Sequence, residues 1–503
     1  MSTTTERQAS ARPSTNALWR WGRTFVDDVF QKTKQRAFEF ALSEALGVLG
    51  SSSEQNYLRL AGIFDKFAKD QSKKAVAQWV REYLSPGRPG TEYLKRVLST
   101  VHPNIRRKYI ARFIAYIIFH PLGTTQRLPD GREVAVPACM LISPTMRCNL
   151  KCVGCYAGNY TKKEDLPLDV AERVLGEARD LGVRYFIVLG GEPMIWDPLF
   201  DVFAKFDDCA FQYYTSGHLM TPEKARKIVE LGNVVPAISI EGFEEETNLR
   251  RGVGGFERAM TAMDNLREAS AMFAFSATVT SKNVDVVTSD EFIDLMVQKG
   301  CHYGWYFLYM PVGRNPDTGL MPTPAQRNKV RARLAEIRNT HPILAADFWG
   351  DGPLTDGCLA GGRRYFHVNN RGDVEPCIFT HWAVDNVKDK PLVECLASDF
   401  FKAFQKAAPY GNNLLRPCPI IDHPRALRGL VKKFGAYPTH DGAETIVEDL
   451  AEHLDNYSEE VRRIYDPIWK EEYGWASVIH SKPQYDWSKK DIDSGSSTDP
   501  SGN

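Results

Sequence analysis

Between Val134 and Gly313 the sequence alternates short apolar runs with amphipathic runs, in six strand–helix units. The apolar runs are rich in β-branched and aromatic residues, whereas the intervening runs repeat apolar residues every three or four positions, as helices do. Units of this spacing favour parallel strands joined by right-handed crossovers. The pattern therefore predicts an α/β fold, either a barrel or an open sheet, with ligands bound at the carboxyl ends of the strands.

Residues able to carry chemistry follow these predicted strands. Three cysteines in "CNLKCVGC" follow the first strand, and "GGEP" ends the second. The later strands end at Thr215-Ser216-Gly217, at Ser239 and Glu241, and at Thr280. Because parallel strands end at one edge of a sheet, these residues are expected to lie close together.

The three cysteines, Cys148, Cys152 and Cys155, have the spacing C-x3-C-x2-C. Three thiolates can hold three irons of a four-iron cluster and leave the fourth iron open, since full ligation takes four cysteines. Structural zinc is the alternative, and His218 or His120 could complete such a site. Zinc sites usually pair two C-x2-C knuckles, however, and this chain has no second one.

Composition excludes several classes of function. No apolar run of the 503 residues approaches the roughly 18 that span a bilayer. The polar N-terminus precedes no hydrophobic signal region, so the cytoplasm is the expected location and its reducing thiol pool disfavours disulfides. The basic, apolar segment 106–120 predicts either a helix packed on the next domain or peripheral contact with the inner membrane face. No phosphate-binding G-x4-G-K-[ST] motif or nucleic-acid module is present, so no nucleic-acid partner is expected.

The run "CNLKCVGCY" after one strand, with "GGEP" at the end of the next, resembles the radical S-adenosylmethionine (radical SAM) superfamily over roughly residues 135–314. The resemblance implies a partial (β/α)6 barrel in which Cys148, Cys152 and Cys155 bind a [4Fe–4S] cluster whose open iron chelates SAM. The reduced cluster would cleave SAM to a 5′-deoxyadenosyl radical that abstracts hydrogen from a substrate. An electron donor such as flavodoxin or ferredoxin is implied as well.

The resemblance also implies residues that contact SAM. Gly190 and Gly191 would let the backbone approach the methionine part of SAM, because glycine has no Cβ. Glu192 and Pro193 would complete that strand end. The remaining candidates are Tyr156 near the adenine, Ser239 or Glu241 on the ribose hydroxyls, and Arg251 paired with the SAM carboxylate.

A second cysteine set follows the predicted barrel, at Cys358, Cys377 and Cys418, with a predicted hairpin through Asn370-Arg371-Gly372. This part is similar to the SPASM and twitch extensions, which hold auxiliary Fe–S clusters. The full set of SPASM cysteines is missing, so one auxiliary [4Fe–4S] cluster is expected. Its fourth ligand is left open among Asp422, His423, His381, the substrate, or none. The other cysteines, Cys139, Cys209, Cys301 and Cys395, are predicted to be small buried residues.

The sequence predicts six segments. They are a disordered tail at 1–19, a helical N-terminal domain at 20–132, a radical SAM core at 133–345, a SPASM- or twitch-like domain at 346–425, C-terminal helices at 426–475, and a disordered tail at 476–503.

Two classes of function fit this organisation. The first is a radical SAM enzyme acting on an unidentified substrate, either a peptide or a lipid or isoprenoid. The second is a non-catalytic Fe–S electron-transfer protein on the same fold. A carrier has no need of a methionine-binding strand end, so "GGEP" favours the enzyme.

Overall fold

The computed structural model of the chain describes residues 34–46, 81–85, 87–120, 124–128, 130–157 and 165–473. The two predicted tails and the helical pattern between residues 54 and 80 lie outside these residues. The strands are β1 Thr125–Arg127, β2 Glu133–Ala135, β3 Cys139–Ile142, β4 Tyr185–Val188, β5 Ala210–Thr215, β6 Val234–Ser239, β7 Ala274–Val279, β8 Tyr303–Leu308, β9 Leu344–Asp347, β10 Tyr365–Val368, β11 Val374–Glu375, β12 Trp382–Ala383 and β13 Tyr437–Pro438.

A nine-stranded sheet in the order β11-β10-β3-β4-β5-β6-β7-β8-β9 forms the centre of the fold. Strands β3 to β8 are the six that the alternation predicts, and they pair in parallel. Strands β9 and β10 extend this parallel array at its two ends. Since β11 and β9 are the edges of the sheet, it stays open within the described residues, and the predicted partial α/β barrel is confirmed.

One predicted strand is wrong in its extent. The sequence predicts a single strand over residues 134–145, but the structure has β2 and β3 there. Pro137 separates them, because proline lacks the N–H that a sheet ladder needs. Strand β2 instead pairs with β1 in a small antiparallel sheet, whereas β3 enters the main sheet.

Helices cover the outside of the sheet. They are α1 Pro89–Thr100, α2 Ala111–Phe119, α3 Leu168–Asp180, α4 Leu199–Lys205, α5 Pro222–Leu231, α6 Glu244–Arg251, α7 Gly255–Glu268, α8 Val284–Val287, α9 Asp290–Lys299, α10 Pro324–Thr340, α11 Gly352–Thr355, α12 Leu392–Leu396, α13 Asp399–Ala407, α14 Pro424–Phe434 and α15 Ala451–Tyr473. Short 3-10 turns occupy Pro193–Ile195, Thr318–Leu320 and Ala443–Ile446. Helix α5 shows why these boundaries were predictable: Thr221 caps its first turn and Gly232 ends it in the left-handed region.

The described N-terminal helices pack against the barrel. The Arg96 guanidinium of α1 donates to the backbone carbonyls of Val297 and Cys301, at 3.1 and 3.0 Å. Before α2 the chain forms a short α turn, Pro103–Ile105, and a π-helical turn, Arg106–Ile110. The Tyr116 hydroxyl of α2 donates to the Ala138 carbonyl at 2.7 Å.

The helix over residues 106–119 is therefore packed on the core, which is the first of the two predicted arrangements. Its Tyr109 ring belongs to the main hydrophobic core together with Phe186 of β4. None of the helices in the described part of the chain is both long and apolar enough to cross a membrane.

The C-terminal part joins the same sheet. Strands β10 and β11 form the predicted hairpin, with His367 opposite Glu375. For the acidic segment within the C-terminal helices at 426–475 the sequence predicts two helices, but the structure has the 3-10 turn Ala443–Ile446 and the single 23-residue helix α15. Helix α15 contains Pro467, although a proline inside a helix usually breaks or kinks it.

Candidate active site

A cavity of about 330 Å³ opens at the carboxyl ends of β3 to β8. It gathers residues that are far apart in the sequence but share this edge of the sheet. Nine of the residues predicted to bind the cluster or SAM line it: Cys148, Cys152, Cys155, Tyr156, Gly190, Gly191, Glu192, Ser239 and Arg251. Pro193 and Glu241 do not line it and lie behind its wall.

Backbone hydrogen bonds hold the cysteine loop over this cavity. The Val153 N–H donates to the Arg250 carbonyl at the end of α6, at 2.9 Å. The Arg314 N–H donates to the Cys155 carbonyl, also at 2.9 Å. The cysteine loop, which lies between β3 and β4, is thus anchored to α6, which follows β6, and to the segment that follows β8.

The glycines of the second strand end fit closely against the cysteine loop. Gly190 has φ +128°, and a Cβ there would overlap the Thr145 carbonyl oxygen. A Cβ on Gly191 would likewise overlap the Arg147 carbonyl oxygen, and the Gly191 N–H donates to the Thr145 carbonyl at 2.9 Å. The structure thus gives these glycines a packing role, in addition to the predicted approach to SAM.

The Glu192 carboxylate is buried and saturated with hydrogen bonds from its own chain. It accepts from the Thr215 hydroxyl at 2.7 Å and from the Ser216 N–H and hydroxyl at 2.9 and 2.8 Å. The Met194 N–H is a fourth donor, at 3.2 Å. Glu192 therefore ties the ends of β4 and β5 together, and its carboxylate is satisfied before any ligand binds.

Glu241, which follows β6, holds two arginines at the cavity. Its carboxylate accepts from Arg250 Nη1 at 2.7 Å, from Arg251 Nε at 2.9 Å, and from the Thr278 N–H at 3.0 Å. Burial alone lowers the pKa of Arg251, but the Glu241 carboxylate, with the charges of Cys152 and Cys155, outweighs burial and raises that pKa. Arg251 thus stays charged at the cavity wall, whereas Glu241 acts as its anchor.

A buried polar network joins the cysteine loop to the β10–β11 hairpin. Ser143 Oγ lies 2.7 Å from His367 Nε2, and His367 Nδ1 lies 2.6 Å from Glu375 Oε2. At the other end of the loop, His381 Nε2 lies 3.0 Å from the Tyr156 carbonyl oxygen. Although Ser143, His367 and Glu375 combine serine, histidine and a carboxylate, none of them lines the cavity, so they serve to position the loop.

The second cysteine set also converges. Cys358, Cys377 and Cys418 line one smaller cavity of about 30 Å³. Burial raises the pKa of each thiol to about 12, so the metal-free thiols are neutral and binding of iron would release protons.

The three side chains considered as fourth ligand are engaged elsewhere. Asp422 forms a buried ion pair with Arg327, with Nη1 to Oδ1 at 2.5 Å. His423 Nε2 lies 2.9 Å from the Arg416 carbonyl oxygen, and His381 contacts the Tyr156 carbonyl. None of the three lines the cavity.

The donor sets fit Fe–S clusters better than a single ion. The zinc alternative requires three or more His, Cys, Asp or Glu side chains around one ion. Within the described ranges no such group is found. A four-iron cluster makes no such demand, because each thiolate binds a different iron. The isolated Cys209, Cys301 and Cys395 are buried as predicted, but Cys139 is half-buried and lines the larger cavity.

The sequence did not single out a set of aromatic side chains that line the same cavity, here called the aromatic wall. It contains Tyr185, Tyr214, Trp305, Phe307, Phe348 and Phe379. The only available signal was the alternation in "YGWYFL", where residues 305 and 307 face the same side of β8. Their rings are stacked 5.9 Å apart, and Phe307 packs on Phe348 at 5.1 Å.

Family comparisons agree with this arrangement. Residues 142–281 match the radical SAM superfamily model, and residues 358–419 match the SPASM model of an iron–sulfur cluster-binding domain. Together the matched ranges include both cysteine sets.

Curated relatives match about half of the chain. An AdoMet-dependent heme synthase of Methanosarcina barkeri is 25% identical over a 280-residue alignment that covers 50% of this chain and 79% of that protein. The mycofactocin maturase MftC of Mycolicibacterium smegmatis is 29% identical over a 283-residue alignment that covers 53% of this chain and 69% of the maturase. A PqqA peptide cyclase of Streptomyces rochei is 28% identical, over 57% of this chain and 82% of its own.

Among solved structures, Streptococcus suis SuiB bound to S-adenosylmethionine superposes with a TM-score of 0.48 and 17% identity, covering 68% of this chain and 80% of SuiB. The family matches confirm that a [4Fe–4S] cluster and SAM are cofactors and that an auxiliary Fe–S centre accompanies them. They favour the enzyme over the electron-transfer protein. The chain is a radical SAM enzyme with a C-terminal iron–sulfur cluster-binding domain.

Proposed function

We propose that this radical SAM enzyme acts on a ribosomally made peptide, and that the larger cavity is its active site. Cys148, Cys152 and Cys155 would hold the catalytic cluster, and Arg251 would pair with the SAM carboxylate. Cys358, Cys377 and Cys418 would hold the auxiliary cluster. The observation that carries the proposal is that the three cysteines, Arg251 and the aromatic wall all line one cavity.

When bound, the reduced cluster and SAM supply reductive cleavage of a carbon–sulfur bond and removal of a hydrogen atom from the substrate. The residues of this chain bind and orient SAM and the substrate, and they shield the reacting atoms from water. The strand end at Gly190 and Gly191 leaves room for its backbone to contact SAM. Glu241 fixes the orientation of the Arg251 guanidinium. The aromatic wall excludes water from the reacting atoms.

Charge in the cavity argues for an uncharged reacting group. The Glu192 carboxylate is satisfied by four donors, and two of the three arginines that line the cavity, Arg250 and Arg251, are paired with Glu241. A charged group pressed against the aromatic wall would lose hydration without gaining a partner. We therefore propose that an apolar or aromatic side chain of the peptide enters.

The volume of the larger cavity favours a single side chain over a macrocycle, such as a tetrapyrrole, as the group that enters it. At about 330 Å³ the cavity is near the lower limit of small-molecule sites, which span roughly 300 to 1,000 Å³. A cavity of this size that also holds SAM has no room for a whole macrocycle, whereas a peptide needs to insert only one side chain. The maturase and the peptide cyclase among the relatives support the peptide class, whereas the heme synthases make a tetrapyrrole the second candidate.

The proposal includes a one-electron donor of the flavodoxin or ferredoxin type. Its test uses isotope transfer under anaerobic conditions with reduced enzyme and SAM. A short precursor peptide encoded beside the gene, with its side-chain carbons deuterated, is compared with a deuterated isoprenoid and a deuterated tetrapyrrole. We expect deuterium in 5′-deoxyadenosine with the peptide alone. Transfer from either of the other two compounds, with none from the peptide, would contradict the peptide assignment.

A further inference from the structure

The two cavities share a wall. Phe348, Leu359, Tyr365 and Phe379 line both the larger cavity and the smaller cavity of the second cysteine set. Of these four side chains, Tyr365 alone carries a polar group. It lies on β10, in register with Cys139 on the neighbouring strand β3, and only 3% of its surface is exposed.

The Tyr365 hydroxyl contacts one of the cysteines directly. Its oxygen lies 3.0 Å from Cys377 Sγ, which also receives the Phe379 N–H at 3.5 Å. A cysteine that binds iron is a thiolate and has no hydrogen to donate, so in the loaded protein the phenol is the donor. The hydroxyl thus points away from the larger cavity, toward the auxiliary centre.

We propose that Tyr365 is a positioning residue that raises the reduction potential of the auxiliary cluster through its hydrogen bond to Cys377. Hydrogen bonds to the sulfurs are among the factors that set Fe–S potentials. Reduction adds negative charge to the cluster, and a donor on a thiolate stabilises that added charge. The inference rests on the proposed assignment of Cys358, Cys377 and Cys418 as ligands.

The same ring faces the larger cavity, so Tyr365 is also placed to couple the two sites. Its ring centroid lies 6.3 Å from that of Phe348, a member of the aromatic wall that packs on Phe307. A side chain bound in the larger cavity would press on this wall, and the hydrogen bond to Cys377 lies directly behind it.

The test isolates the auxiliary cluster in the full chain. The parent carries Cys148→Ala, Cys152→Ala and Cys155→Ala, and Tyr365→Phe is added to it. Anaerobic redox titration with electron paramagnetic resonance then gives the midpoint potential. We expect unchanged iron content and a roughly tenfold lower ratio of reduced to oxidised cluster at the parent's midpoint, about 59 mV for one electron.

Tyr410→Phe in the same parent is the matched control. Tyr410 is buried near the same three cysteines, but the described residues show no hydrogen bond from it to their sulfurs. An unchanged midpoint in Tyr365→Phe, an equal shift in the control, or loss of iron on removing the hydroxyl would each overturn the inference. A parent without iron would overturn the ligand assignment, and this inference with it, but would leave the radical chemistry at the other cysteines untouched.

Discussion

Four charged residues at the larger cavity are paired with other groups of the chain, namely Glu192, Glu241, Arg250 and Arg251. Glu192 and Glu241 each accept several hydrogen bonds from the chain, so both carboxylates have partners without SAM. Glu192 holds the end of β4 in place, and Glu241 holds Arg250 and Arg251. Arg251 lines the cavity while its guanidinium is anchored by Glu241, so it is placed to pair with the SAM carboxylate.

Replacement of Arg251 by alanine should weaken SAM binding and leave the iron content unchanged. The change removes one charge-assisted contact, worth about 1.5 to 3 kcal/mol, which is roughly a 10- to 150-fold rise in the SAM dissociation constant. Isothermal titration at matched iron content measures it, with Arg226→Ala on the exposed face of α5 as the control. Wild-type affinity in the Arg251 variant would refute its role.

Motif residues could be read from the sequence, but their partners could not. The cysteines and the Gly-Gly pair occur in recognisable spacing. The pairing of Glu241 with Arg250 and Arg251 depends on where α6 turns back on β6, which no local pattern encodes. The Tyr365–Cys377 contact likewise needs the hairpin to be folded.

At the scale of elements, the six central strands followed from hydrophobic periodicity, whereas the edges of the sheet did not. Strand β10 pairs in parallel with β3 although Tyr365 and Cys139 are far apart in the sequence. Such a pairing is set by tertiary packing and not by local propensity. The consequence is functional, because it brings the second cysteine set beside the first.

Gly190→Ala should separate the second strand end from the cysteine loop. A Cβ there meets the Thr145 carbonyl and the φ of +128° is strained for alanine, so we expect a loss of roughly 2 to 4 kcal/mol of unfolding free energy. Iron at the catalytic site should fall in parallel.

The matched control is Gly131→Ala, at φ +87° with open space around it. It should cost only about 1 to 2 kcal/mol and leave the iron content at the wild-type value. Urea unfolding and iron analysis of both variants provide the comparison. Equal iron in the two variants would show that close packing at Gly190 does not support the cluster loop.

At the scale of the whole molecule, the N-terminal helices are part of the same packed body as the barrel. Arg96 and Thr100 of α1 both reach the segment that begins β8. There His302 is buried, and its Nε2 lies 3.2 Å from the Thr100 hydroxyl. The domain boundaries themselves stay a prediction.

This junction should make stability depend on pH. Burial, with a contribution from the charge of Arg96, lowers the pKa of His302 to about 3. Between that value and the ordinary pKa of about 6.5, the unfolded chain binds the extra proton, so the native state loses stability as the pH falls through this window. The slope is at most about 1.4 kcal/mol per pH unit.

Denaturant unfolding of wild-type protein and of His302→Gln between about pH 7 and about pH 5 measures the effect. The glutamine variant should show a flatter dependence, because it cannot take up the proton. Identical slopes in the two proteins would show that His302 is not held neutral at this junction.

Formation of 5′-deoxyadenosine tests the central claim most directly. Anaerobically reconstituted protein is reduced with dithionite in the presence of SAM, and the product is measured by liquid chromatography. We predict product from the wild type, none from Cys152→Ala, and continued uncoupled cleavage by Cys418→Ala, because only Cys152 would bind the cluster at the SAM site. Undiminished product from the Cys152 variant would contradict the assignment of the larger cavity as the site of radical chemistry.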